Sequence, residues 1–138
     1  MSFVLDASVT AAWCFPDETS QTADAALNRL SDDEALTPSL WWAEIRNILV
    51  VSERRGRIDA TDTGRFLSDL SRLPIAIDND PVESNVFELA RSHDLTIYDA
   101  LYLELATRHA LPLATLDRRL AAACGQAGVS LVGGATDR

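Results

Sequence analysis

Four acidic residues, far apart in the sequence, stand at positions from which they could act together. They are Asp6, Glu44, Asp99 and Asp117. Asp6 and Asp117 each follow a short apolar run that predicts a β-strand, whereas Glu44 and Asp99 lie on the apolar sides of predicted helices. The carboxyl ends of parallel strands meet at one edge of a sheet, where such sheets bind their ligands. We therefore expect the four carboxylates to converge in one pocket.

Crowded carboxylates repel one another, and this repulsion indicates what the pocket has to contain. Two carboxylates about 4 Å apart repel by about 4 kcal/mol at an effective dielectric constant near 20. The chain has no lysine, so all twelve of its basic residues are arginines. Ligand sets made only of oxygen suit Mg²⁺ or Mn²⁺ better than zinc. Such an ion would bind a phosphate oxygen and activate a water, and the expected reaction is hydrolysis of a phosphodiester.

Each acid also has a purely structural interpretation. Asp6 could be a turn residue at the end of its strand. Glu44 could extend into solvent or pair with a nearby arginine. Asp99 could form a capping box with Thr96. Asp117 could be the N-cap of the helix that follows it. The functional interpretation therefore depends on the four acids as a set.

The elements that must position these acids alternate between short apolar and longer amphipathic segments, which is typical of βα units around a parallel sheet. The predicted strands are 3–5, 35–37, 75–77, 112–115 and 129–132, and the predicted helices cover about 8–14, 19–30, 39–54, 60–72, 80–92, 98–110 and 118–126. Asp80 and Pro81 are a suitable cap and first turn for the fifth helix. We predict a single domain over 1–138, a three-layer α/β/α sandwich with a parallel sheet of about five strands.

Composition limits the class of protein. The 138 residues, 47% of them hydrophobic, fit one globular domain. No apolar run approaches the roughly 18 residues of a membrane span, and Met1 leads into an apolar run without the basic region of a signal peptide. We expect a soluble, cytoplasmic protein. Cys14 and Cys124 lack the paired spacing of a zinc or redox motif, and we interpret them as small core residues.

The net charge of −9 argues against nucleic-acid binding, which basic patches usually drive. The four acids account for nearly half of this excess, and bound divalent metal would cancel their part. Arginines suit bidentate contacts to phosphate, although a biased genome composition explains their exclusive use equally well.

The residues around the four acids resemble those of PIN-domain ribonucleases, and in size and detail the chain is similar to VapC-type toxins of bacterial toxin–antitoxin pairs. The matching segments are Val4-Leu5-Asp6-Ala7-Ser8, Glu44-Ile45-Arg46-Asn47, Tyr98-Asp99-Ala100-Leu101-Tyr102 and Thr115-Leu116-Asp117. Each segment is short, and their order and spacing over nearly the whole chain carry the resemblance.

This resemblance implies an α/β/α fold, Mg²⁺ or Mn²⁺ at the four acids, and endonucleolytic cleavage of RNA. Ser8 and Thr115 match positions that assist the site. Asn47, one helical turn after Glu44, is a further candidate for contact with substrate or with a metal-bound water. The resemblance also implies a homodimer and a cognate antitoxin, whose C-terminal segment wraps the toxin and often sends an arginine toward the acids. An acidic toxin suits a basic inhibitory segment.

Two other function classes fit parts of the sequence. Haloacid-dehalogenase-like enzymes and receiver domains form an aspartyl-phosphate at the end of their first strand, but they need a second acid where this chain has Ser8, and usually a lysine. A PIN-like domain that binds RNA or a protein without cleavage is the other alternative, and four intact acids argue against it. Trp41 and Trp42 are adjacent and cannot both face one core, so we expect one of them at a dimer or antitoxin surface.

Overall fold

A parallel sheet forms the centre of the chain, whose structure, a computed structural model, describes residues 1–133. Its four strands are β1 (Phe3–Leu5), β2 (Ala35–Pro38), β3 (Ile75–Asp78) and β4 (Leu113–Ala114). They lie in the order β3-β2-β1-β4, and all neighbouring pairs are parallel. All three residues of β1 are fully buried, as expected for a central strand that is covered on both faces.

Seven helices connect and cover these strands within the described residues. They are α1 (Ala7–Ala12), α2 (Gln21–Arg29), α3 (Leu40–Arg54), α4 (Ala60–Leu70), α5 (Glu83–His93), α6 (Ile97–His109) and α7 (Arg118–Ala127). Helix α6 packs against β1, β2 and β4, and α1 packs against α2 and α3. The predicted three-layer architecture is confirmed. None of the helices in residues 1–133 has both the length and the apolar character of a membrane span.

Helix α6 is extensively buried because it lies across the sheet. Its buried residues are Ala100, Tyr102, Leu103, Glu104, Leu105 and Ala106. The hydroxyl of Thr96 accepts the backbone N–H of Asp99 at 3.1 Å, so Thr96 is the N-cap of the helix, which is one of the two bonds of the predicted capping box. This cap determines where the helix that carries Asp99 begins.

A cluster of charged residues joins α6 to the end of β3. Glu104 is 1% exposed and accepts Nε of Arg108 at 2.8 Å. The terminal nitrogens of Arg108 donate to the two carboxylate oxygens of Asp78 at 2.9 and 3.1 Å. The backbone N–H of Val82 also donates to Glu104, at 3.2 Å. The cluster thereby holds β3, the turn after it and α6 together.

The predicted fifth strand over 129–132 is wrong. Within the described residues, Leu131 makes only an isolated parallel bridge with Leu113. Two backbone hydrogen bonds flank this bridge, from Leu113 to Ser130 and from Val132 to Leu113. The pairing stops there because β4 is only two residues long and Gly133, with φ of +69°, turns the chain.

The predicted cap of the fifth helix is also wrong. The N-cap of α5 is Val82 instead of Asp80. The backbone N–H of Asp80 donates to the carboxylate of Asp78 at 3.0 Å, so Asp80 belongs to the turn after β3. The helix begins only after Val82 has made its bond to Glu104.

Candidate active site

Asp6 lies directly after β1 and is 6% exposed. Its backbone is held from two sides, because its N–H donates to the carbonyl of Ala114 at 3.0 Å and its carbonyl accepts the hydroxyl of Thr10 at 3.1 Å. The indole N–H of Trp41 donates to the same hydroxyl at 3.0 Å. Thr10 was not predicted as a site residue, and the available signal was its position one helical turn after Asp6.

Two hydroxyls hold the carboxylate of Asp6. Thr115 and Ser8 donate to its Oδ2 at 2.5 and 2.8 Å. Each hydroxyl also accepts a backbone N–H of the loop between β4 and α7: Asp117 donates to Thr115 at 3.0 Å, and Leu116 donates to Ser8 at 2.9 Å. The structure therefore places both predicted support residues in contact with Asp6, and they attach this loop to the end of β1.

Asp117 caps α7, as its structural interpretation predicted. Its Oδ1 accepts the backbone N–H of Leu120 at 2.9 Å. A carboxylate has two oxygens and about four lone-pair sites, so the cap leaves acceptor capacity at the pocket. Since β4 is the neighbour of β1 in the sheet, Asp117 is brought close to Asp6.

Glu44 is half-buried on α3 and is held by α6. The phenol of Tyr102 donates to Oε1 of Glu44 at 2.5 Å. Glu44 is therefore bound by a tyrosine and not by an arginine. From the sequence, Tyr102 is only a marker of the buried face of α6. The signal that pointed to it was its position on the same face as Asp99, three residues later.

The negative charges of neighbouring acids act on Glu44 and on Asp99. Burial raises the pKa of Glu44, and the negative charges of Asp6 and Asp99 raise it further. Burial also raises the pKa of Asp99, followed by the charges of Asp117 and Asp6. The structure thus brings together the four acids that the sequence predicted to converge. We refer to them as the acidic pocket.

Hydrogen bonds and one cation oppose these increases. The pKa of Asp6 is raised by burial, against which the hydroxyls of Thr115 and Ser8 act. The guanidinium of Arg119 lowers the pKa of Asp99. The pKa of each of these two acids nevertheless remains raised, because burial outweighs the hydrogen bonds at Asp6 and the charge of Arg119 at Asp99.

The acidic pocket has the ligand chemistry of a hard divalent cation. It offers carboxylate oxygens, whose mutual repulsion a cation would relieve. Among residues 1–133, no three His, Cys, Asp or Glu side chains have the arrangement of a ready-made metal site. Mg²⁺ does not require such a set, since it usually keeps several waters and binds one or two carboxylates. The residues present therefore fit a hydrated Mg²⁺ or Mn²⁺.

Asn47 is a predicted support residue that the structure does not connect to the acids. It is exposed on α3 and lines a surface depression with Ala11, Phe15 and Arg55. In the described part of the chain, no hydrogen bond joins it to the acidic pocket. Its role stays a prediction.

We expect the metal-free protein to lose stability as the pH rises above about 4. An acid with a raised pKa in the folded state binds more protons when folded than when unfolded, so its contribution decreases with rising pH. The stability contributions of Asp6, Glu44 and Asp99 all decrease with rising pH in this way, because the pKa of each is raised. Asp99→Asn removes one of the repelling charges and should stabilise the metal-free fold at neutral pH by up to about 1 kcal/mol, a few degrees in Tm.

Thermal unfolding followed by circular dichroism in EDTA, over a pH series, measures this effect. Asp24→Asn on the exposed side of α2 is the matched control; because Asp24 lies in the first turn of that helix, its loss should lower the Tm slightly and should not raise it. Equal Tm values for wild type and Asp99→Asn at neutral pH would contradict the inference that the neighbouring carboxylates repel Asp99.

Comparison with known proteins identifies the class of protein that this fold and pocket define. The PIN domain family matches residues 3–126, which include all four acids. The chain belongs to the PIN domain family. This membership removes the aspartyl-phosphate alternative, which requires a different family.

Individual relatives agree with this assignment. Ribonuclease VapC3 of Pyrobaculum aerophilum is 33% identical over 124 residues, which cover 88% of this chain and 93% of that protein. The crystal structure of PAE2754 from the same organism is 27% identical, with a TM-score of 0.70 over 89% of this chain and 84% of that chain. Mycobacterium tuberculosis VapC20, a toxin that cleaves the sarcin-ricin loop, has a TM-score of 0.61 at 13% identity, over 88% and 94% of the two chains. At that identity it shows the shared fold alone.

Proposed function

We propose that this chain is a Mg²⁺- or Mn²⁺-dependent endoribonuclease that acts in the cytoplasm as the toxin of a toxin–antitoxin pair. The observation that carries the proposal is the placement of four carboxylates, at two adjacent strand ends and on two helices, near enough for Asp6 and Asp99 to act on Glu44 and for Asp6 and Asp117 to act on Asp99. Membership of the PIN domain family and the similarity to Ribonuclease VapC3 support the choice of RNA as substrate.

The four acids would hold the metal, and the surrounding residues position them. A bound divalent ion supplies a Lewis acid for a phosphate oxygen and a water of lowered pKa. Ser8 and Thr115 bind one oxygen of Asp6 and so set the orientation of its carboxylate. Tyr102 does the same for Glu44. Carboxylates that are already oriented in this way do not have to reorganise during the reaction. Such preorganisation is the main source of electrostatic catalysis.

We also propose a cognate antitoxin and a homodimer. Two surface features support the proposal that these partners bind. Trp42 is 53% exposed while Trp41 is buried, so one tryptophan is available at the surface. A depression between α4 and the end of α1 is lined by Trp13, Ile58 and Phe66. The net charge of −9 favours a basic segment as the inhibitory partner.

We expect the purified protein to cleave RNA only when a divalent metal is present. EDTA should reduce cleavage to background, because the acids repel one another and cannot bind phosphate without a cation, and added Mg²⁺ or Mn²⁺ should restore it. A gel assay with end-labelled RNA measures this, and sequencing of 5′ ends formed during controlled expression identifies the target. RNA binding without cleavage in Mg²⁺ would favour the alternative of a non-catalytic binding module. Cleavage that resists EDTA would contradict the metal requirement.

A further inference from the structure

Two large side chains that are exposed to solvent directly precede two of the acids in the sequence. Tyr98 directly precedes Asp99 and is 64% exposed, which makes it the most exposed aromatic residue in the described part of the chain. Leu116 directly precedes Asp117 and is 41% exposed. Within residues 1–133 the hydroxyl of Tyr98 makes no hydrogen bond, so no contact in the fold accounts for the position of its ring. A planar aromatic surface is thus exposed in the first turn of α6, one residue before Asp99.

A positive charge also lies near Asp99. Arg119 is exposed in the first turn of α7, two residues after Asp117, and it is close enough to act on the charge of Asp99. The first turn of a helix is where the helix dipole disfavours cations. Over residues 1–133 Arg119 forms no ion pair within 4.0 Å. Its placement therefore costs some helix stability without forming a salt bridge, a pattern expected at functional positions.

Five other arginines are engaged elsewhere. Arg29, Arg57 and Arg108 form ion pairs with acidic residues. Arg46 and Arg91 lie over the rings of Trp42 and Phe87. Among the remaining arginines of residues 1–133, Arg119 is the one whose charge acts on an acid of the acidic pocket, Asp99, so it is well placed to offer that charge to a ligand there.

An aromatic ring and an arginine beside a metal-binding pocket match the chemistry of an unpaired nucleotide. Bases that are not stacked in a duplex stack on aromatic side chains, and a guanidinium binds phosphate oxygens in a bidentate manner. We propose that Tyr98 and Arg119 hold single-stranded RNA at the acidic pocket, with Tyr98 stacked on an unpaired base and Arg119 bound to a backbone phosphate. This inference rests on the proposed function and names the substrate contacts of the same site.

The test measures RNA binding in the Asp6→Asn background, so that cleavage does not interfere. Fluorescence anisotropy of a short fluorescein-labelled single-stranded RNA reports the Kd. Tyr98→Ala should weaken binding about 5- to 100-fold, and Tyr98→Phe should keep most of the affinity because the ring remains. Arg119→Ala should weaken binding and reduce the slope of log K against log salt by about 0.7, the value for one phosphate contact on a single strand. Arg119→Lys should keep the slope.

Two matched variants control for loss of any aromatic or any positive charge. Phe87→Ala removes an exposed aromatic from α5, and Arg72→Ala removes an exposed arginine from the turn before β3, at the sheet edge opposite the acids. Both should bind like the parent protein. A duplex of the same sequence should bind more weakly than the single strand, and Tyr98→Ala should not affect its affinity.

The inference is overturned if Tyr98→Ala and Arg119→Ala bind single-stranded RNA as tightly as the two controls. It is also overturned if Tyr98→Ala weakens duplex binding as much as single-strand binding. Cleavage by the wild type is assayed separately. Binding that depends on Tyr98 without any cleavage would contradict the proposed catalysis and leave these contacts supported.

Discussion

Asp6→Asn and Asp99→Asn proteins are expected to cleave RNA at least about 100-fold more slowly than the wild type while they remain folded. A carboxylate-held divalent ion contributes several kcal/mol to stabilising the transition state, and each 1.36 kcal/mol corresponds to a tenfold change in rate. Asparagine keeps the size of aspartate and can still accept the hydroxyls of Ser8 and Thr115 at position 6. The substitution therefore removes a charge without removing the packing.

The two variants differ in a way that separates catalysis from folding. Asp6 is buried and hydrogen-bonded, so its replacement carries some structural cost. Asp99 is repelled by Asp6 and Asp117, so its replacement should stabilise the metal-free protein. Slow cleavage by a more stable Asp99→Asn protein cannot be attributed to unfolding.

Asp24→Asn on α2 is the isosteric control, because Asp24 is exposed and lies outside the acidic pocket. It should cleave RNA at the rate of the wild type. If all four proteins cleave equally, a contaminating nuclease is responsible and the assignment of these acids is lost.

Arg108→Met is expected to have the largest effect on stability, a loss of about 3–5 kcal/mol. Arg108 is the partner of both Glu104, which is 1% exposed, and Asp78. Its removal leaves a buried carboxylate without a counter-charge, which is more costly than the loss of the ion pair itself. Urea unfolding followed by circular dichroism measures the difference in the free energy of unfolding.

A double variant tests this cause. Glu104→Leu combined with Arg108→Met removes the buried carboxylate together with its partner and should recover part of the loss, since apolar replacements of buried ion pairs are often neutral. The recovery is incomplete because Asp78 keeps its charge and the N–H of Val82 loses its acceptor. Arg65→Met on α4 is an exposed control and should stay within about 0.5 kcal/mol of the wild type. A loss below about 1 kcal/mol for Arg108→Met would show that the cluster is well solvated.

The pH dependence of the same cluster has the opposite sign to that of the acidic pocket. Hydrogen bonds from Arg108 hold the pKa of Asp78 far below its usual value of 3.8. A lowered pKa stabilises the fold above the unfolded value and the contribution is lost as the pH falls below it. The wild type should therefore lose stability below about pH 4, and Arg108→Met should lose less in that range.

Local sequence patterns predicted most of the helices and strands, because each of them depends mainly on residues that are close to one another in the sequence. The apolar run of β1 and the helical spacing of Trp41, Ile45 and Leu49 correspond to buried positions in the structure. The two errors concern features that depend on distant partners. Residues 129–132 lack a strand long enough to pair with, and the start of α5 is set by the bond between Val82 and Glu104.

The sequence by itself determined which residues could do chemistry, because residue type and position after a strand or on a helix face are local properties. It predicted the four acids as members of one site, and the resemblance to PIN-domain ribonucleases added Ser8 and Thr115 to them. Only the tertiary structure decided how these side chains are held. Thr115 reaches Asp6 across 109 residues and Tyr102 reaches Glu44 across 58. Such hydrogen bonds form only after the sheet and α6 have packed together, so no local pattern predicts them.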